Sequence, residues 1–125
     1  MAEGTHPSVL VVDDDSDVRA SVAQILEMEG FDVDTAINGQ EALDKLRAGA
    51  QPGVVLLDLM MPVMNGLELL TQLRAEPELR APPIIVISAN RGYEADDLGV
   101  FAIVRKPFDI DHLLDNIEAV LGKAA

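Results

Sequence analysis

The sequence predicts an α/β fold: a doubly wound, five-stranded parallel sheet with helices on both faces. Short apolar runs alternate with longer amphipathic stretches, the pattern of repeated strand–helix units. Runs such as residues 9–12 (Val-Leu-Val-Val) and 84–87 (Ile-Ile-Val-Ile) are apolar without interruption, as strands covered on both faces are.

The elements follow in order. Residues 9–12 read as a buried strand. Ser16 or Asp17 can cap a first helix that carries Val18, Val22, Ile25 and Glu29 at helical spacing and stops at Gly30. Residues 31–36 alternate apolar and polar, as a half-exposed strand does. Asn38-Gly39 reads as a turn, before a short helix marked by Ala42, Leu43 and Leu46 that ends at Gly49. Residues 54–57 form the third strand. Leu67, Leu70 and Leu73 mark the third helix, which Pro77 stops. After Pro82-Pro83 comes a fourth strand, 84–87, and residues 102–104 form the fifth. Ile110, Leu113, Leu114, Ile117, Val120 and Leu121 give the stripe of the last helix.

The chain has 125 residues, which fits one domain with its core over about residues 8–121. A chain this long buries about two-thirds of its unfolded surface. The formal net charge of −13 argues against direct nucleic-acid binding, which needs cations to meet phosphates. The absence of cysteine excludes disulfides and thiolate ligands and suits a reducing compartment. No apolar run approaches the roughly 20 residues of a membrane helix, and residues 1–7 show no signal-peptide pattern. The expectation is a cytoplasmic protein without membrane contact, a monomer or weak dimer.

Sheets of this kind bind ligands beyond the carboxyl ends of their strands. Asp13, Asp14, Asp58, Ser88 and Lys106 each fall at or just beyond such an end. Three carboxylates brought close together repel by about 4 kcal/mol per pair at an effective dielectric of about 20. A proton or a cation must neutralise them. A hard divalent ion with oxygen ligands suits the need, and Mg²⁺ is the common choice beside phosphate. Lys106 adds a compact positive charge for an incoming anion, and Ser88 a hydroxyl donor. Together these groups suit phosphoryl transfer to Asp58.

At these residues the chain resembles the receiver domain of two-component response regulators. The resemblance rests on Val12-Asp13-Asp14-Asp15, on Leu57-Asp58 with Met61-Pro62-Val63-Met64-Asn65-Gly66, on Val86-Ile87-Ser88-Ala89 and on Arg105-Lys106-Pro107-Phe108. It runs from about Ser8 to Leu121. It implies a flavodoxin-like strand order 2-1-3-4-5. It implies Asp58 as phosphoryl acceptor, charged by a histidine kinase or a histidine phosphotransfer protein, and a downstream protein partner of unknown identity. It implies Mg²⁺ held by the Asp14 and Asp58 side chains and the Met60 carbonyl, with Asp13 acting through water. Lys106 and the Ala89 N–H would hold the phosphoryl group, Ser88 would close on it as a switch, and the Lys106–Pro107 bond would be cis. Such a domain is not an enzyme in the ordinary sense: it catalyses only its own phosphorylation and dephosphorylation. It can stand alone or form part of a larger regulator.

Two departures from the family pattern stand out. Ile103 occupies the position, three before the lysine, where the family often carries an aromatic switch residue. Only 17 residues separate Ser88 from Lys106, about one helical turn fewer than is usual there. The segment Arg91-Gly92-Tyr93-Glu94-Ala95-Asp96-Asp97-Leu98-Gly99 must therefore hold a short or irregular fourth helix.

Competing functions fit less well. A dehalogenase-type phosphatase would start Asp-x-Asp, but Asp17 stands where that motif needs threonine or valine. A calcium loop over Asp13, Asp15 and Asp17 has Val18 in place of glycine and Gln24 in place of the bidentate glutamate. A flavin site lacks its phosphate loop. A receiver-like interaction module that acts without phosphorylation is the remaining alternative.

Overall fold

The computed structural model describes residues 8–59, 64–79, 82–89, 94–106 and 108–121. Five strands, β1 Ser8–Val12, β2 Asp32–Ala36, β3 Val54–Asp58, β4 Ile84–Ser88 and β5 Ala102–Arg105, pair in parallel in the order β2-β1-β3-β4-β5. The helices are α1 Ser16–Met28, α2 Gly39–Arg47, α3 Gly66–Ala75, α4 Ala95–Leu98 and α5 Ile110–Leu121, with a 3₁₀ turn at Pro77–Leu79. The expected order 2-1-3-4-5 is the observed one.

Strand alternation divides the core into two layers. Leu10 and Val12 of β1, Val55 and Leu57 of β3 and Val86 of β4 face a layer closed by Leu43 and Leu46 of α2, Leu69 and Leu73 of α3 and Leu98 of α4. Val9, Val11, Val54, Leu56, Ile85 and Ile87 face the opposite layer, closed by Val22 and Leu26 of α1 and Leu113 and Ile117 of α5. Each fully buried leucine or isoleucine contributes about 1.5–3 kcal/mol. The central strands are therefore the most firmly held part of the molecule, and they carry Asp13, Asp58 and Ser88 at their ends.

Local details differ from the sequence reading at two helix starts. Asp15, not Ser16 or Asp17, caps α1: its carboxylate accepts from the N–H groups of Asp17 and Val18. Asn38-Gly39 is not a free turn. Asn38 caps α2 by accepting from the Glu41 N–H, and Gly39 is the first helical residue. The expected stops hold, with Gly30 and Gly49 at φ of +96° and +109° ending α1 and α2.

The fourth helix is short, four residues from Ala95 to Leu98, and turns at Gly99. Residues 90–93 of the same segment lie outside the described residues. The Arg74 guanidinium of α3 bonds the Leu98 carbonyl and so caps the carboxyl end of α4. No helix among the described residues is long and apolar enough to cross a membrane.

Candidate functional site

β1, β3 and β4 end side by side because their registers align Val12 with Leu57 and Asp58 with Ile87. The chain leaves each strand in a polar residue. Asp13, Asp58 and Ser88 are the buried polar residues of the described fold, at 5, 7 and 1 % exposure. Asp14, one residue past Asp13, is exposed. Carboxylate oxygens of Asp13, Asp14 and Asp58 lie within 4.8 Å of one another. The backbone N–H of Lys106 donates to the Ser88 carbonyl at 2.9 Å, which brings the lysine to the same edge. Its Nζ stands 3.4 Å from Asp58 Oδ2 and 4.0 Å from Asp13 Oδ2.

Three carboxylates against one ammonium leave two net negative charges when all are ionised. Burial above all pushes the Asp13 carboxyl above its ordinary value, and the charges of Asp58 and Asp14 push the same way. The Asp15 N–H and Lys106 oppose this without cancelling it. Lys106 therefore does not neutralise the cluster. A hard divalent cation with oxygen ligands fits both the donor set and the residual charge.

A pH dependence follows. A raised carboxyl favours the protonated folded form, so its stabilising effect is complete below the unfolded value near 3.8 and is lost as pH rises through the raised folded value. Without Mg²⁺, Asp13→Asn should match the wild type in melting temperature at the acid end and exceed it progressively as pH rises. Added Mg²⁺ should reverse the order at neutral pH, because the ion needs the ionised carboxylate. Parallel melting curves with EDTA and with MgCl₂ check both halves.

The start of α3 packs closely on the backbone at the end of β3. The Gly66 N–H donates to the Leu59 carbonyl at 3.1 Å. A β-carbon at Gly66 would stand 2.7 Å from the Asp58 carbonyl oxygen and 2.8 Å from Leu59 Cα. Asn65 and Glu68 form a capping box at the start of α3, each side chain accepting from the other's backbone N–H at 2.9 Å. The Gly39 N–H at the start of α2 donates to the Met64 carbonyl at 2.9 Å.

The structure thus brings Asp13, Asp14, Asp58, Ser88 and Lys106 to one edge. Ala89 follows Ser88 there and is exposed. Ile103 pairs with Val86 in the sheet and is half-buried against the α2–α3–α4 layer. Met60 and Pro107, with the expected carbonyl ligand and cis bond, lie outside the described residues. Sequence reasoning passes over Arg19, whose guanidinium donates to the Asp13 carbonyl at 2.8 Å. Its position four residues after the cap, facing back toward the strand end, is the available signal. Turn chemistry likewise gives no hint of the packing of Gly66 on the Asp58 backbone.

Comparison with known proteins agrees with this geometry. Residues 9–118 match the family described as the response regulator receiver domain. The transcriptional regulatory protein CpxR homolog of Haemophilus influenzae is 39% identical over 122 residues, which cover 94% of this chain and 51% of that protein. The chain spans about half the length of the curated relatives it matches. The receiver domain of Francisella response regulator 1452 superposes with a TM-score of 0.84 at 30% identity, covering 93% of this chain and 97% of that one. TrrA of Thermotoga maritima, solved in complex with Mg(2+)-BeF, superposes with a TM-score of 0.79 at 34% identity over 91% of this chain and 98% of that one. With the parallel sheet, the acidic cluster at its edge and the sequence match in agreement, the chain belongs to the response regulator receiver domain family of two-component systems.

Proposed function

We propose that this receiver accepts a phosphoryl group on Asp58, in a Mg²⁺-dependent reaction, from a histidine kinase or histidine phosphotransfer protein, and signals through altered contacts with a downstream protein. The observation that carries the reading is the buried Asp58 carboxylate, clustered with Asp13 and Asp14 within 4.8 Å and faced by Lys106 at 3.4 Å.

In this reading an Asp58 oxygen attacks the phosphorus of a phosphohistidine. The P–O bond forms as the P–N bond breaks, and the imidazole leaves with its electron pair. Asp14 and Asp58 would hold Mg²⁺ with the Met60 carbonyl, and Asp13 would act on it through water. The ion, when bound, offsets the negative charge of the phosphoryl oxygens. Lys106, now on Asp58, turns to a phosphoryl oxygen as charge builds there. Ser88 and the Ala89 N–H supply the remaining donors, and the movement of Ser88 passes the event to the short α4 segment. With Ile103 packed beside Val86, the backbone after Ser88 carries the change. The donor's approach is along the open groove between α1 and α5, where Val18, Val22, Ile25, Phe108 and Ile110 lead up to Lys106. The Mg(2+)-BeF complex of TrrA supports the reading, since beryllofluoride mimics a phosphoryl group.

Acetyl phosphate tests the reaction. Incubated with MgCl₂, the protein should gain the mass of one phosphoryl group, and excess EDTA should prevent it. No gain with acetyl phosphate or a phosphoramidate, or equal gain in EDTA, would remove the reading.

A further inference from the structure

We infer that Arg19 is a positioning residue for the metal ligands, acting through the peptide bond that joins Asp13 to Asp14. The inference rests on the Mg²⁺ reading above. Both aspartates stand in the turn between β1 and α1, and most of that turn is tied down. The Asp13 N–H donates to the Ala36 carbonyl at 3.1 Å. The Asp13 carboxylate accepts from the Asp15 N–H at 2.9 Å. The Asp15 side chain is spent on capping α1.

Asp14 differs. It is exposed, and its carboxylate makes no hydrogen bond or ion pair among the described residues. Its direction therefore depends on its own backbone, and so on the plane of the Asp13–Asp14 peptide. The oxygen of that peptide is the Asp13 carbonyl, which accepts from the Arg19 guanidinium at 2.8 Å. Arg19 is half-buried on α1, a helix anchored by the fully buried Leu26. The peptide is thus clamped to a rigid element. Outer partners that orient ligands in this way are a large part of a metal site's affinity.

Charge and positioning predict opposite signs for this residue. Arg19 is a cation near a cation site, so if charge alone mattered, its loss would tighten Mg²⁺ binding. If it positions Asp14, its loss weakens binding. MgCl₂ titrations of wild type, Arg19→Ala and Arg19→Lys, followed through the amide signals of Asp14 and Leu59, separate the two. The dissociation constant of Arg19→Ala should rise about tenfold, with metal-free melting little changed. Arg19→Lys keeps a charged donor with poorer reach and should fall between. If Arg19→Ala does not fold, the same rise, smaller, is required of Arg19→Lys. A dissociation constant that is unchanged or lower in the folded variants overturns the inference, even if the metal-free melting temperature drops. A wild type whose amides do not respond to Mg²⁺ would instead sink the metal reading itself, and the inference with it.

Discussion

Gly66→Ala should destabilise the domain by about 1–3 kcal/mol, the usual cost of forcing a methyl group into a filled space, and should slow phosphoryl acceptance. The new β-carbon would meet the Asp58 carbonyl oxygen at 2.7 Å and Leu59 Cα at 2.8 Å. Both are backbone atoms next to the proposed acceptor, so relief must come from moving α3 or the end of β3. Movement of α3 strains the Asn65–Glu68 capping box and the Leu69 packing beneath it. Movement of β3 shifts Asp58 out of line with Asp13 and Lys106. Denaturant melts read the first cost, and the rate of acetyl phosphate labelling reads the second. Gly30→Ala, at the end of α1 remote from the site, is the control: it carries backbone strain at φ +96° but meets no neighbour, so it should lower stability and leave the labelling rate alone.

Lys106→Ala should have two opposed effects. The metal-free protein should lose about 1 kcal/mol, taking a charged hydrogen bond and allowing for the solvent screening of a partly exposed lysine. Its ammonium stands 3.4 Å from Asp58 and also faces Asp13 at 4.0 Å. Mg²⁺ binding should tighten by a comparable free energy, about fivefold, because the ion no longer competes with a resident cation. Labelling should nevertheless slow, since the phosphoryl oxygens lose their charged donor. Mg²⁺ titration and labelling kinetics on one preparation measure both. Weaker Mg²⁺ binding in this variant would contradict the electrostatic account of the edge.

Much of this site is legible in the amino-acid sequence, for one physical reason. A continuous apolar run that stops abruptly in a charged or hydroxyl residue marks both a buried strand and the point where it meets solvent. Asp13, Asp58 and Ser88 all stand out in that way, and the parallel sheet then brings them together. The choice among Asp15, Ser16 and Asp17 as the cap of α1 is not legible in the same way. All three can cap a helix, and only the folded geometry shows that it is the Asp15 carboxylate that accepts from the Asp17 and Val18 N–H groups. Asn38-Gly39 has the composition of a turn, but the contact of Gly39 with Met64 draws the glycine into α2. Arg19 is hidden because a solvated arginine on a helix is ordinary. Only the three-dimensional return of α1 along β1 shows that its guanidinium reaches the strand end. The shortness of α4 is legible as a count of residues, whereas its tether to Arg74 is not.

The measurement that tests the central claim most directly is the location of the phosphoryl group. After incubation with acetyl phosphate and Mg²⁺, borohydride reduction followed by peptide mass analysis marks the labelled carboxylate. The account predicts one reduced residue, Asp58, in the wild type, and no labelling in a folded Asp58→Asn variant that keeps Asp13, Asp14 and Lys106. Reduction at Asp13 or Asp14 in the wild type, or undiminished labelling of Asp58→Asn, would contradict it.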